Sequence, residues 1–174
     1  YIEQSIMASS AGRRVTVVVR GVARDYFDVV ALEGLVEAGR LESIFAGDVL
    51  LGTALCGQLG AYGIGTEIEL YALNRKQIST LLPIGGISRL TTHLGGAING
   101  NNEISSTLAI AEIERVQRLL NYTGRVSALA IRIGEGKDAK RVAQSIENVV
   151  GEGFRCVTRE KKYASINAIL RMEK

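Results

Sequence analysis

Tryptophan is absent from this 174-residue chain, proline occurs once, histidine once and cysteine twice. Each scarcity excludes something. With Pro83 the sole proline, almost every backbone N–H is free to join a helix or a sheet ladder. With one histidine, imidazole-based acid–base chemistry would rest on His93 alone, in a strand-like pattern where a polar side chain is simply tolerated. The cysteines, Cys56 and Cys156, are spaced for neither a zinc knuckle nor a redox pair. Both lie among apolar neighbours and read as small buried hydrophobes, with a disulfide open in an oxidising compartment. Neither charge sign dominates: 21 basic residues face 18 acidic ones. The basic residues are scattered, and six tyrosines and three phenylalanines are too few to interleave with them as a nucleic-acid surface requires. No apolar run approaches the roughly 18 residues of a membrane span. Tyr1 opens directly on strand-like sequence without a leader pattern, which fits a cytosolic protein and a piece of a larger membrane protein equally.

What is present is a folded-domain composition, 47% apolar and 22% charged. "IEQSIMAS" and the β-branched "RRVTVVVRGV" predict two strands. "ARDYFDVVALEGLVEAGRLE" predicts a short helical turn and then a loop. "GDVLLGTALCGQLGAYGIG" predicts a helix capped by Asp48, with Leu51, Leu55 and Leu59 in one row and glycines ending it. "TEIELYAL" alternates Ile68, Leu70 and Ala72 against Glu67, Glu69 and Tyr71, the pattern of a half-buried strand. After "NRKQISTLLPIGG" comes a further strand, "ISRLTTHLGGAI", and a polar turn, "NGNNE". The last third alternates: strand "SSTLAI", helix "AEIERVQRLLN" with Ile113, Val116 and Leu120 on one face, and central strand "RVSALAIRIG". Helix "DAKRVAQSIENVV" follows, capped by Asp138, with Val142, Ile146, Val149 and Val150 turned inward. Strand "FRCVTR" precedes a closing amphipathic segment. The fold class expected is α+β, with helices packed on a mixed sheet.

No chemistry-bearing pattern emerges. Asp25 and Asp28 are too isolated for a metal site, and Glu112 and Glu114 point different ways on a helix. "GTALCG" lacks the Lys-Ser/Thr of a phosphate loop. "GAYGIG" follows a helix and precedes a strand, the reverse of a dinucleotide-binding turn. "GEGK" opens a helix and reads as a plain turn rather than an anion site. The expectation is a non-enzymatic domain, with no catalytic residue, cofactor or metal.

The ending is more specific. In "KKYASINAILRMEK", Ile166, Ile169 and Leu170 form one helical stripe, and no glycine or proline ends it. Together with "STLAIAEIERVQRLL" and "VSALAIRI", it resembles the extracytoplasmic domain of ABC-transporter permeases of the lipoprotein-releasing type. These share a MacB-like periplasmic core with macrolide-exporter and cell-division permeases. In that family a similar ending leads into the second transmembrane helix.

The resemblance implies a two-lobed domain at the periplasmic face of the inner membrane. Residues 1–30 and 105–174 would make a porter-like lobe, truncated on its N-terminal side, and 31–104 a β-rich insertion lobe. It implies as partners a cytoplasmic ATPase, a second permease subunit and a periplasmic carrier or adaptor. Handling of lipoprotein or another amphiphile is the implied role; recruitment of a cell-wall hydrolase or its activator is the alternative within the same architecture. A small soluble enzyme with an unrecognised site is the alternative outside it. The stretch between "TEIELYAL" and the next strand occupies the place of the family's hook loop, with Leu81, Leu82, Pro83 and Ile84 as its apolar patch. Ile166, Ile169, Leu170, Arg171 and Lys174 would lie on the membrane-proximal coupling helix.

Overall fold

A computed structural model describes residues 1–73 and 86–158 and divides the chain into two units, 1–130 and 131–174. In the first unit, β1 (Ile2–Ser10) and β2 (Arg13–Val22) form an antiparallel hairpin. Then come α1 (Tyr26–Val29), a 3-10 turn, β3 (Val36–Gly39), a second 3-10 turn (Leu41–Ala46), β4 (Val49–Gly52) and α2 (Thr53–Leu59). The remaining elements are β5 (Glu67–Leu73), β6 (Ile87–Ile98), α3 (Asn102–Thr107), β7 (Leu108–Glu112) and α4 (Ile113–Leu120).

The seven strands make one sheet in the order β3-β6-β4-β7-β2-β1-β5, and β5 also pairs with β6. Six strands therefore close into a ring. β6 makes this closure because it is long: Ile87–His93 pairs antiparallel with β5, and Leu94–Ile98 pairs with β4 and β3. β2 runs parallel to β7, and β4 parallel to β6.

Side chains alternate across the strands, so one face of the ring collects Ile6, Ala8, Val17, Val19, Val49, Leu51, Ile68, Leu70 and Leu94. Leu55, Cys56 and Leu59 of α2 join that cluster, as do Val116, Leu119 and Leu120 of α4. α4 reaches strands on both sides of the ring, β1, β2 and β7 as well as β5 and β6, and so plugs it. Full burial of a Leu or Val of this kind contributes about 1.5–3 kcal/mol. Among the described residues the opposite face is covered at the β4–β7 end, where Leu50, Ile98, Leu108 and Ile110 meet Tyr26, Leu32, Leu41 and Ile44, and not at the β1–β5 end.

Several expected elements stand as read. β1, β2, β5 and β6 cover the expected stretches, and in β5 Ile68, Leu70 and Ala72 are buried while Glu67, Glu69 and Tyr71 are not. Gly60 takes the left-handed conformation (φ 70°) that ends α2.

Others are corrected. The helix expected from Asp48 is a strand followed by a helix: residues 49–52 sit between β6 and β7, and Leu51 lies on the strand. Gly52, not Asp48, occupies the cap position of α2. It is a glycine because a Cβ there would collide with the Ser105 and Ile104 carbonyl oxygens. "SSTLAI" begins as helix: Asn101 caps α3, its side chain accepting from the Ile104 N–H at 2.9 Å, and the strand starts only at Leu108.

"RVSALAIRIG" is not a central strand. Its backbone is irregular and Val126 and Leu129 are exposed, although residues 127 and 128 bond to the start of β1: the Tyr1 nitrogen donates to the Ala128 carbonyl at 2.9 Å. β1, β2 and β7 hydrogen-bond into the same ring as the strands of 31–104, because the pairing is long-range.

The second unit contains α5 (Ala139–Val150), capped as expected by Asp138, whose side chain accepts from the Lys140 and Arg141 N–H groups. Its apolar residues do not turn inward: no residue of α5 is buried, and Val149 is 86% exposed. The expected strand "FRCVTR" is irregular over the described residues 154–158.

Candidate functional site

The sequence-derived site residues Leu81, Leu82, Pro83 and Ile84 lie outside the described residues, as do Ile166, Ile169, Leu170, Arg171 and Lys174. What the structure does place is the base from which 74–85 departs. Leu73 and Ile87 form the last rung of the β5–β6 ladder, so that stretch leaves and returns at neighbouring points of the sheet.

The open face below this rung is built from outward residues of four strands. Glu67 stands opposite His93, Glu69 opposite Thr91, and Tyr71 opposite Arg89. One carboxylate organises the polar part. Glu69 Oε1 pairs with Arg89 at 2.6 Å, and Glu69 Oε2 accepts from the Tyr71 hydroxyl at 2.6 Å. That hydrogen bond to a carboxylate raises the Tyr71 phenol above its ordinary value, because ionising it would set two anions side by side. Toward the ladder's end the face turns apolar, with Met7 40%, Ile87 68% and Leu73 70% exposed.

β1 and β5 pair only from Met7–Tyr71 to Ser9–Glu69. Beyond that rung they separate, and the fork holds a cleft of about 400 Å³ lined by Ser5, Met7, Thr16, Tyr71, Leu73 and Ile87 among others. Sequence reasoning found the outward side of β5 through its alternation. It missed the cleft, because the meeting of β1 with β5 joins residues sixty or more positions apart.

Other polar groups tie elements of the fold together. Arg20 binds Glu3 and the Tyr26 hydroxyl, and stacks on the Tyr1 ring at 5.1 Å. Arg115 of α4 donates to the Gly47 carbonyl at 2.6 Å, tying the helix to the loop before β4. His93 is exposed on β6. Both thiols are free; Cys56 is buried, and burial pushes its pKa up, while Cys156 is half-buried. Among the described residues no group of three His, Cys, Asp or Glu side chains gathers as a metal site, and no helix is long and apolar enough to cross a membrane.

No family model and no curated protein matches the chain. Solved structures do. The periplasmic region of MacB from Actinobacillus actinomycetemcomitans superposes with a TM-score of 0.55 at 14% identity, over 86% of this chain and 63% of that one. The extracellular domain of the noncanonic ABC-type transporter YknZ from Gram-positive bacteria gives 0.61 at 12% identity, over 90% of this chain and 78% of that one. The chain thus has a mixed α/β fold of the kind found in MacB-like extracytoplasmic domains of ABC-type transporters. It spans less than two thirds of the MacB region.

Proposed function

We propose that the chain is an extracytoplasmic domain of an ABC-type transporter permease. The observation that carries this reading is the fold likeness, which extends over 86–90% of the chain to two domains that both lie outside the membrane in transporters. On this reading the barrel is a rigid body that turns nucleotide hydrolysis by a cytoplasmic ATPase into movement of an external surface. Rigidity suits such a role, since a ring of strands plugged by α2 and α4 transmits displacement without absorbing it.

The finer reading is release of lipoprotein or another amphiphile to a periplasmic carrier or adaptor. The Leu81–Ile84 patch would act as the hook, and the stripe of Ile166, Ile169 and Leu170, with Arg171 and Lys174, as the membrane-proximal coupling helix. Supporting it is the rung Leu73–Ile87, between whose two residues 74–85 lies in the sequence.

The test is topology and then function. Reporter fusions placed within residues 1–130 of the parent polypeptide are expected to give alkaline phosphatase activity and no green fluorescent protein signal; the opposite pattern sinks the reading. Replacing Leu82 and Pro83 by Ser and Ala is expected to abolish lipoprotein release from spheroplasts while leaving thermal stability unchanged. A drop of several degrees assigns those residues to the core instead.

A further inference from the structure

The fork between β1 and β5 combines two features whose conjunction selects a kind of ligand. The first is backbone parity. In a strand, alternate residues direct their N–H and C=O groups to opposite edges. Glu3 turns its backbone away from β2: its N–H donates to Ser127 Oγ at 3.0 Å, and its carbonyl accepts from the same hydroxyl. Met7, four residues on, lies on the rung with Tyr71 of β5. Ser5 lies between them and so directs its N–H and C=O into the fork. The β1–β5 ladder stops at Met7, so the register assigns neither group a partner on β5. The second feature is the wall. Met7, Leu73 and Ile87 are exposed apolar side chains around the same opening of about 400 Å³.

We infer that this fork is a docking site for an extended peptide segment of a partner protein, which enters beside β1 as an added strand and bonds to the Ser5 backbone. Its apolar side chains rest on Met7, Leu73 and Ile87. A hydrocarbon chain fits the apolar wall but leaves the Ser5 N–H and C=O buried without partners, a cost of about 1–3 kcal/mol per group. An extended peptide satisfies both and covers the wall, which is the recognition mode of strand addition. The site deepens the partner-docking part of the permease reading by giving the partner's contact a chemistry. It stands on geometry of its own and is tested apart from membrane topology.

The probe is the capped heptapeptide Thr-Val-Thr-Val-Thr-Val-Lys, titrated into the isotopically labelled 174-residue chain. Binding is expected to shift the amide resonances of Ser5, Met7 and Leu73 and to slow hydrogen exchange at Ser5. A peptide of the same sequence, N-methylated at alternate residues, is expected to bind about tenfold more weakly, since it loses the backbone bonds with the protein unchanged. Leu73→Lys, at an exposed position, is expected to weaken binding without altering thermal stability. Four results would each overturn the inference: no binding, equal binding of the N-methylated peptide, shifts of the same resonances by palmitate but not by the peptide, or a Ser5 amide already as protected as Gln4 and Ile6 in the free protein. Any of these leaves the topology result, and with it the permease reading, untouched.

Discussion

Arg20 and Glu3 face each other across the β1–β2 hairpin, with Arg20 Nε donating to Glu3 Oε2 at 2.6 Å. The pair is mostly shielded, the side chains being 18% and 32% exposed. Charge-assisted bonds at such sites contribute about 1.5–3 kcal/mol, of which partial hydration removes some. Glu3→Gln is therefore expected to cost about 1 kcal/mol in urea unfolding. Arg20→Ala is expected to cost more, because it also loses the Tyr26 hydroxyl and the Tyr1 ring. Equal effects would mean that the aromatic contacts add nothing.

β5 offers a test of the barrel. Leu70 is fully buried and Leu73 is 70% exposed on the same strand. Leu70→Ala is expected to destabilise by about 2–5 kcal/mol and Leu73→Ala by no more than about 0.5 kcal/mol. A reversed order in chemical denaturation would place the wrong face of β5 inside.

Gly52 abuts the Ser105 and Ile104 carbonyls. Gly52→Ala must push the α3 backbone away from the start of α2, at a cost of about 1–3 kcal/mol. The loss should be read as a lower midpoint with unchanged m-value.

Cys56 predicts a pH dependence. Burial raises its thiol pKa, so the folded state keeps the proton where the unfolded state releases it. Stability from this group is complete below the unfolded value, about 8.5, and is lost as pH rises through the raised folded value. Cys56→Ala is expected to flatten the alkaline decline in midpoint. Ellman's reagent is expected to label the half-buried Cys156 well before Cys56; simultaneous labelling would show that α2 does not seal the thiol.

Local pattern and long-range pairing account for what the sequence did and did not disclose. The β-branched run of β2 and the alternation of β5 name their own faces, because one residue in two must meet the core. Leu51, Leu55 and Leu59 also fit a helical row, and nothing nearby reveals that Val49–Gly52 is held as strand by β6 and β7 on either side. The reverse holds at residues 125–134, where strand-like composition finds no sheet partner among the described residues beyond the start of β1. The cleft was invisible for the same reason: Ser5 and Leu73 are neighbours only once the ring has closed. Of the residues singled out for function, Leu81–Ile84 lie outside the described residues, and only the two strands on either side of them stand where they were expected.

The final rung, Leu73 opposite Ile87, has an evolutionary consequence. Both ends of the intervening stretch are clamped one strand apart, so a change in its length alters the closure entropy little. Doubling that length adds only about 0.6 kcal/mol of closure entropy. A lineage could rewrite, extend or exchange this segment while the scaffold beneath kept its sequence, and a foreign epitope grafted at the same point should be displayed without refolding the host.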